Sequence, residues 1–208
     1  MKNNRTIGVI DYGMGNLRSV SKAIEHLGGH VYVGSDPNML KKMCKLILPG
    51  VGAFGDAIRE LKKRKLIALI REAAQSGTLI LGICLGLQLF FETSSESLKT
   101  KGLGIWKGSV RKFRIQKKRA LKIPHMGWNQ VCFQKRSPLL SSVPNNSYFY
   151  FVHSYYAEPK NQGSILGKTN YGTVFPSVLA SDNVFAVQFH PEKSQQAGLQ
   201  ILKNFIRL

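Results

Sequence analysis

The sequence predicts an α/β fold: a doubly wound, mostly parallel central sheet flanked by helices, with additional antiparallel strands in its second half. Three observations lead there. Short, fully apolar, β-branched runs alternate with stretches of helical period through the first half, the pattern of a parallel sheet covered on both faces. Glycine-rich turns join several of these runs to the helices that follow. Beyond about residue 145 the runs shorten and are separated by Pro, Asn and Gly clusters, as antiparallel or mixed strands are.

In chain order, Thr6–Ile10 is a buried strand that ends at Asp11 and a Gly-Met-Gly turn. Asn16 to Leu27 carries apolar residues at Leu17, Val20, Ala23, Ile24 and Leu27, a helical spacing, and Gly28-Gly29 stops it. His26 and His30 flank that helix end and read as surface or capping positions. Val31–Val33 and Lys45–Leu48 are further strands, and Ala57 to Ala74 reads as one helix. Thr78–Ile83 is an apolar strand, with Leu85–Phe91 continuing as helix. Ser147–Val152, Ser177–Ala180 and Val184–Gln188 supply the later strands, and Ser194 to Phe205 closes as a helix with Leu199, Leu202 and Phe205 on one stripe. No internal repeat or low-complexity linker divides the chain, so residues 1–208 are expected to form a single domain.

Composition excludes several classes of protein. A hydrophobic share of 43% against 20% charged residues is incompatible with disorder. Cys44, Cys84 and Cys132 are too few and too scattered for a disulfide framework or a zinc site, so a reduced, cytoplasmic protein without a metal is expected. Ile7 to Ile10 is too short for a signal peptide, and Leu79 to Leu87 falls well short of the roughly 20 residues that span a bilayer. The 30 Lys and Arg against 11 Asp and Glu give a net charge of +19. Eight of the basic residues fall between Lys107 and Lys122 with no acid among them. Such a run could hold nucleic acid or a phosphorylated partner, but a solvated basic hairpin or loop is the commoner meaning.

The chemistry is concentrated in Gly82-Ile-Cys84-Leu-Gly86-Leu-Gln88, where a strand turns at once into a helix. Side chains at positions 82 and 86 would collide in so tight a turn, and the turn lifts Cys84 out of the sheet. The helix N-terminus there favours the thiolate, and the Leu85 N–H can hold an oxyanion. Downstream lies Gln188-Phe-His190-Pro191-Glu192. Residues i and i+2 of an extended segment share a side, so Glu192 can orient the His190 ring. Nucleophile, base and orienter are thus all present. A second loop, Pro49-Gly50-Val51-Gly52-Ala53-Phe54-Gly55, can bring a further backbone N–H, of Val51 or Gly52, to the same oxyanion. It lacks the Gly-Lys-Ser/Thr of a phosphate loop, and as a dinucleotide fingerprint it lacks the rest of its unit.

These motifs resemble the triad, or class I, glutamine amidotransferases. Asp11-Tyr-Gly-Met-Gly-Asn-Leu-Arg-Ser, Pro49-Gly-Val-Gly-Ala-Phe-Gly-Asp, Pro124-His-Met-Gly-Trp-Asn, Tyr150-Phe-Val-His-Ser-Tyr and Gln188-Phe-His-Pro-Glu-Lys-Ser are similar to the glutaminase subunits of imidazole glycerol phosphate synthase. The resemblance runs from Ile7 to Phe205. It implies the class I amidotransferase fold, Cys84 as nucleophile, and glutamine held by Gly52, Gln88, Ser154 and Tyr155. It implies release of ammonia to a partner cyclase subunit of (β/α)₈-barrel type, forming a heterodimer without any cofactor. Asn16, Met126, Trp128, Tyr150 and Lys193 match positions at the edge facing that barrel, with core packing as the alternative for Met126 and Tyr150. It also implies a nearly idle isolated subunit, its Gly50–Gly52 loop withholding an N–H until the partner binds.

Two departures open alternatives. The 107–122 segment is more basic than the family's hairpin, and Ile105-Trp106-Lys107-Gly108 stands where an Ile-Pro-Gly is expected. One alternative is therefore a paralogous glutaminase serving amination of a surface-polysaccharide sugar. Another is an idle nucleic-acid-binding relative, which the complete Cys, His and Glu set argues against.

Overall fold

The computed structural model describes residues 3–114 and 121–208. The first half alternates as expected: β1 (Asn3–Ile10), α1 (Leu17–His26), β2 (His30–Gly34), α2 (Pro37–Leu40), β3 (Met43–Leu48), α3 (Phe54–Lys63), α4 (Leu66–Gln75), β4 (Leu79–Ile83) and α5 (Leu85–Leu89). Then come β5 (Phe91–Ser94), β6 (Trp106–Lys112), β7 (His125–Gln130), β8 (Cys132–Phe133), β9 (Tyr148–His153), β10 (Tyr155–Pro159), β11 (Ile165–Asn170), β12 (Val174–Ser181), β13 (Val184–Val187) and α6 (Gln195–Arg207).

The main sheet has eight strands in the order β2-β1-β3-β4-β13-β12-β11-β8. Pairing is parallel from β2 to β13 and antiparallel from β13 onward. Because strand side chains alternate in direction, the central strands feed two separate cores. Ile10, Leu46, Leu48 and Ile80 pack under α3, α4 and α5, while Ile7, Val9, Ile47, Leu81 and Ile83 pack under α1 and α6. A three-stranded sheet, β10-β6-β5, and the antiparallel pair β7-β9 sit beside this sheet.

Two expected elements are corrected. The helix expected over Ala57 to Ala74 is two helices, α3 and α4, because Lys65 adopts a left-handed conformation at φ 58°. The helix expected over Leu85–Phe91 stops at Leu89, and Phe91 already belongs to β5, paired with Trp106. The basic run also gains definition. Lys107, Arg111 and Lys112 lie exposed on β6, held between β5 and β10, and Arg114 and Lys122 are exposed nearby. Lys117, Lys118 and Arg119 lie outside the described residues. The solvated reading holds for the described part, which is a strand rather than a bare loop or hairpin.

What matters for the site is the common exit of three neighbouring strands. β3, β4 and β13 are parallel, with Leu48 opposite Gly82 and Gly82 opposite Ala186. The three loops that follow them therefore leave at the same carboxyl edge, where ligands collect in open α/β sheets.

Candidate active site

Cys84 sits at the turn between β4 and α5 with φ 55° and ψ −107°, a left-handed backbone that a non-glycine residue holds only where its surroundings impose it. The surroundings are tight. A Cβ on Gly86 would lie 1.8 Å from the Leu48 carbonyl oxygen, and one on Gly82 would lie 2.9 Å from the Gly86 carbonyl carbon. The Cys84 N–H donates to the Val187 carbonyl at 2.8 Å, which fastens the turn to β13.

β13 in turn delivers His190. Its backbone N–H donates to the Tyr150 carbonyl at 2.9 Å, and Ser194 Oγ donates to the His190 carbonyl at 2.6 Å. Glu192 Oε1 lies 2.8 Å from Nδ1 of His190, and both side chains are buried. The other ring nitrogen, Nε2, is buried on the side of Cys84 and makes no hydrogen bond. Burial opposes protonation of this imidazole most strongly. The interaction with neighbouring Cys84 outweighs it, Glu192 adds to the effect through its hydrogen bond and charge, and the pKa rises to about 10.

The third loop approaches from β3. A Cβ on Gly50 would meet Tyr12 Oη at 2.4 Å, Leu85 Cβ at 2.9 Å and Gly86 N at 3.2 Å, so only a glycine lets this loop lie against the Cys84 turn. Gly52 has φ 94°, a conformation open to glycine. Val51, Gly52, Cys84, Leu85, Gln88, Ser154, Tyr155 and His190 all line one cavity of about 310 Å³. The expected catalytic, oxyanion and substrate-binding residues are thereby brought together, with Glu192 directly behind His190.

Three participants were not foreseen. Glu96 supplies the carboxylate among the cavity residues and accepts from the Phe54 N–H at 2.8 Å, and no local motif marks it. His153 lines the cavity, neutral because burial lowers its pKa to about 3. Gln188 is wholly buried and donates through Nε2 to the Cys84 sulfur at 3.7 Å. The last two lie inside motifs the sequence does display, but their partners are fixed only by the fold.

The five residues expected at a partner edge fall into two kinds. Met126 (60% exposed) and Trp128 (46%) project outward from β7, so Met126 is not a core residue. Tyr150 is half-buried on the facing strand, its ring 6.2 Å from that of Trp128, and Lys193 Nζ lies 5.8 Å from the Tyr150 ring centre. Asn16 instead caps α1, its side chain accepting from the Ser19 N–H at 3.3 Å.

The family model for glutamine amidotransferase class-I matches residues 8–208. The chain belongs to that family. Among its relatives, the imidazole glycerol phosphate synthase subunit HisH of Moorella thermoacetica is 48% identical over 201 residues, covering 97% of this chain and 94% of the relative. The protein of the same name from Aquifex aeolicus is 50% identical over 204 residues, covering 98% and 96%. A solved structure described as a glutamine amidotransferase superposes with a TM-score of 0.74 at 16% identity, covering 97% of this chain and 99% of that one, a likeness of fold. The doubly wound sheet with antiparallel additions is thus the class I amidotransferase fold. Among the described residues, no helix is long and apolar enough to cross a membrane.

Proposed function

We propose that this chain is the glutaminase subunit of an imidazole glycerol phosphate synthase, a single amidotransferase unit that works in the cytoplasm. The observation that carries the reading is the convergence of Cys84, the His190–Glu192 pair and the Val51–Gly52 loop on one cavity. The near-full-length likeness to subunits of that name supplies the pathway.

In the proposed reaction glutamine enters with its side-chain amide at Cys84. Gln88, Gly52, Ser154 and Tyr155 line its path, and Glu96 pairs with the α-ammonium. The Cys84 thiolate attacks the amide carbon, and the carbonyl electrons move onto oxygen, where the Leu85 N–H and an N–H of Val51 or Gly52 receive the charge. As the tetrahedral intermediate collapses, the C–N bond breaks and His190 gives its Nε2 proton to the leaving nitrogen, which departs as ammonia. The carbon stays on sulfur as a thioester. Neutral His190 then takes a proton from water, the resulting hydroxide attacks the thioester, and the C–S bond breaks to release glutamate and restore the thiolate.

The partner is proposed to be a cyclase subunit of (β/α)₈-barrel type, joined as a heterodimer across the face that exposes Met126 and Trp128 beside Tyr150 and Lys193. An exposed tryptophan beside a tyrosine is a composition enriched in binding hot spots. Ammonia released at Cys84 passes to that partner, and the second chemistry happens there.

The test is glutamate release from glutamine by this chain mixed with a histidine-pathway cyclase subunit, with and without the cyclase's nucleotide ligand. The reading expects little turnover from the chain alone, strong stimulation by partner and ligand together, and loss of turnover in Cys84→Ala. Turnover that depends on Cys84 but ignores the cyclase would contradict the pathway assignment.

A further inference from the structure

The strand–turn–helix of Cys84 and the segment carrying His190 leave one buried polar side chain between them with no role so far. Gln188 is 0% exposed, sits just past β13, and is fixed by its own backbone N–H donating to the Ser177 carbonyl at 2.9 Å. Its side-chain nitrogen lies 3.7 Å from Cys84 Sγ and its side-chain oxygen 3.1 Å from Gln88 Nε2.

Which end of an amide faces a sulfur is decided by what the other end touches. Here the assignment follows from carbonyls that can only accept. Gln88 Nε2 is 2.9 Å from the Tyr155 carbonyl oxygen, so that atom must be the nitrogen of Gln88. Its second hydrogen then goes to Gln188 Oε1, which leaves Gln188 Nε2 as the end turned to Cys84. The same Tyr155 carbonyl lies 2.8 Å from His153 Nδ1, so Nδ1 carries a hydrogen. Because His153 is held neutral by burial, its Nε2 is an acceptor, and His125 Nδ1, 3.0 Å away, must donate to it. His125 Nε2 accepts in turn from Asn129 Nδ2 at 3.2 Å, and that nitrogen is identified by its donation to the Asn170 carbonyl at 3.0 Å. Two series of hydrogen bonds, from Asn129 through the two histidines and from Gln88, therefore converge on the Tyr155 carbonyl. Each has one direction only.

We propose that Gln188 is a functional donor of this site: its Nε2–H, locked in orientation by Gln88 and the Tyr155 carbonyl, points at the Cys84 sulfur and stabilises the thiolate that attacks glutamine. The sulfur then has the Gln188 amide as a hydrogen-bond donor, with the His190 ring facing it from the other side. The amide carries no titrating proton, so it stabilises the negative sulfur without competing with His190 as acid or base. A carboxylate in its place would instead set a second negative charge against the thiolate. The groups that face Cys84 are thereby His190, Gln188, the Val152 carbonyl, 3.9 Å from the sulfur, and the phenol of Tyr12, whose buried hydroxyl has no partner in the described protein. The proposal rests on Cys84 being the nucleophile.

The experiment reads the pH dependence of alkylation of Cys84 by iodoacetamide, followed by mass spectrometry on the Cys84 peptide so that Cys44 and Cys132 do not contribute. It is run on the intact chain and on Gln188→Glu and Gln188→Met. Gln188→Glu is expected to raise the midpoint of Cys84 reactivity by about one unit or more and to slow alkylation at pH 7 at least tenfold. Gln188→Met, apolar and nearly the same length, is expected to move the midpoint in the same direction by less. In the complex with the cyclase, kcat is expected to fall with little change in KM. Wild-type alkylation profiles in a folded variant, judged by circular dichroism, would overturn the proposal. If Gln188→Glu does not fold, Gln188→Met decides alone. If instead Cys84→Ala keeps glutaminase turnover, the reading of Cys84 as nucleophile fails, whatever the alkylation result for Gln188.

Discussion

Glu192 gives His190 both a hydrogen bond and a charge, and both act on the same proton. With Nδ1 bound to the carboxylate, Nε2 is left free for the proton that, in the proposed reaction, ammonia takes as it departs. Because the pKa of His190 is raised to about 10, that proton is present throughout the neutral range and is lost only as the pH climbs through about 10. The kcat/KM of the complex for glutamine, which reports the free site, should therefore fall on its alkaline side near that value. In Glu192→Gln the same limb should move to lower pH, and kcat should drop by about 10²- to 10⁴-fold, as when a triad acid is made an amide. A kcat/KM profile from pH 6 to 11, with kcat measured alongside, checks both statements, and an alkaline limb that does not move would contradict them. At this scale the proposed triad is legible in the sequence, since Gly-x-Cys-x-Gly is a local turn signal and His190 and Glu192 are two residues apart. Gln188 and Glu96 are not, because what defines them is remote. Gln188 meets Cys84 across 104 residues of chain, and Glu96 meets Phe54 across 42.

The pattern of elements is legible wherever packing follows the usual sense. The Ile7–Ile10 part of β1, with β3, β4 and β13, is largely apolar because both faces are covered, and α1 and α6 show their buried stripes directly. β7 escapes notice because it is inverted. His125 is buried while Met126 and Trp128 face solvent, so its alternation places polar residues inside and large apolar ones outside. The break between α3 and α4 was within reach of the sequence. Buried positions run Phe54, Ala57, Ile58, Leu61, then Leu66, Leu69, Ile70 and Ala73, and the five-residue step from Leu61 to Leu66 does not fit one continuous stripe. Lys65 absorbs that step at φ 58°, with no side-chain cap for α4. A left-handed lysine costs about 1 kcal/mol that glycine avoids, offset in part by the greater freedom of glycine in the unfolded chain. Lys65→Gly is accordingly expected to raise Tm by about 1–3 °C, with Lys65→Ala near wild type because its Cβ keeps the strain. Thermal melts of the three proteins check this, and a lower Tm for Lys65→Gly would contradict it.

For the molecule as a whole, the sheet edge that gathers three loops into a site and the face formed by β7 and β9 are joined by a backbone hydrogen bond. β9 presents Tyr150 to the exposed patch while its main chain holds His190, through the bond from the His190 N–H to the Tyr150 carbonyl. A partner seated on Trp128 would thus press on a strand already bonded to the base. Trp128→Ala is expected to weaken cyclase binding by about 2 kcal/mol, roughly 30-fold in Kd, while leaving the fold intact because the ring is 46% exposed. Titration calorimetry with the cyclase subunit measures it, and an unchanged Kd would place the interface elsewhere. The charge plays a smaller part. The Arg111–Glu158 ion pair on the basic strand is exposed on both sides and contributes at most about 1 kcal/mol.

The most direct test of the central claim, that Cys84 is the nucleophile of a glutamine-hydrolysing site, is labelling by a glutamine analogue with a diazoketone in place of the side-chain amide. The cyclase complex would be treated with the analogue, digested, and read by mass spectrometry alongside residual glutaminase activity. The account predicts that activity disappears in proportion to modification of Cys84, that Cys44 and Cys132 stay unmodified, and that glutamine protects. Activity that survives full modification of Cys84, or inactivation with Cys84 untouched, would contradict it.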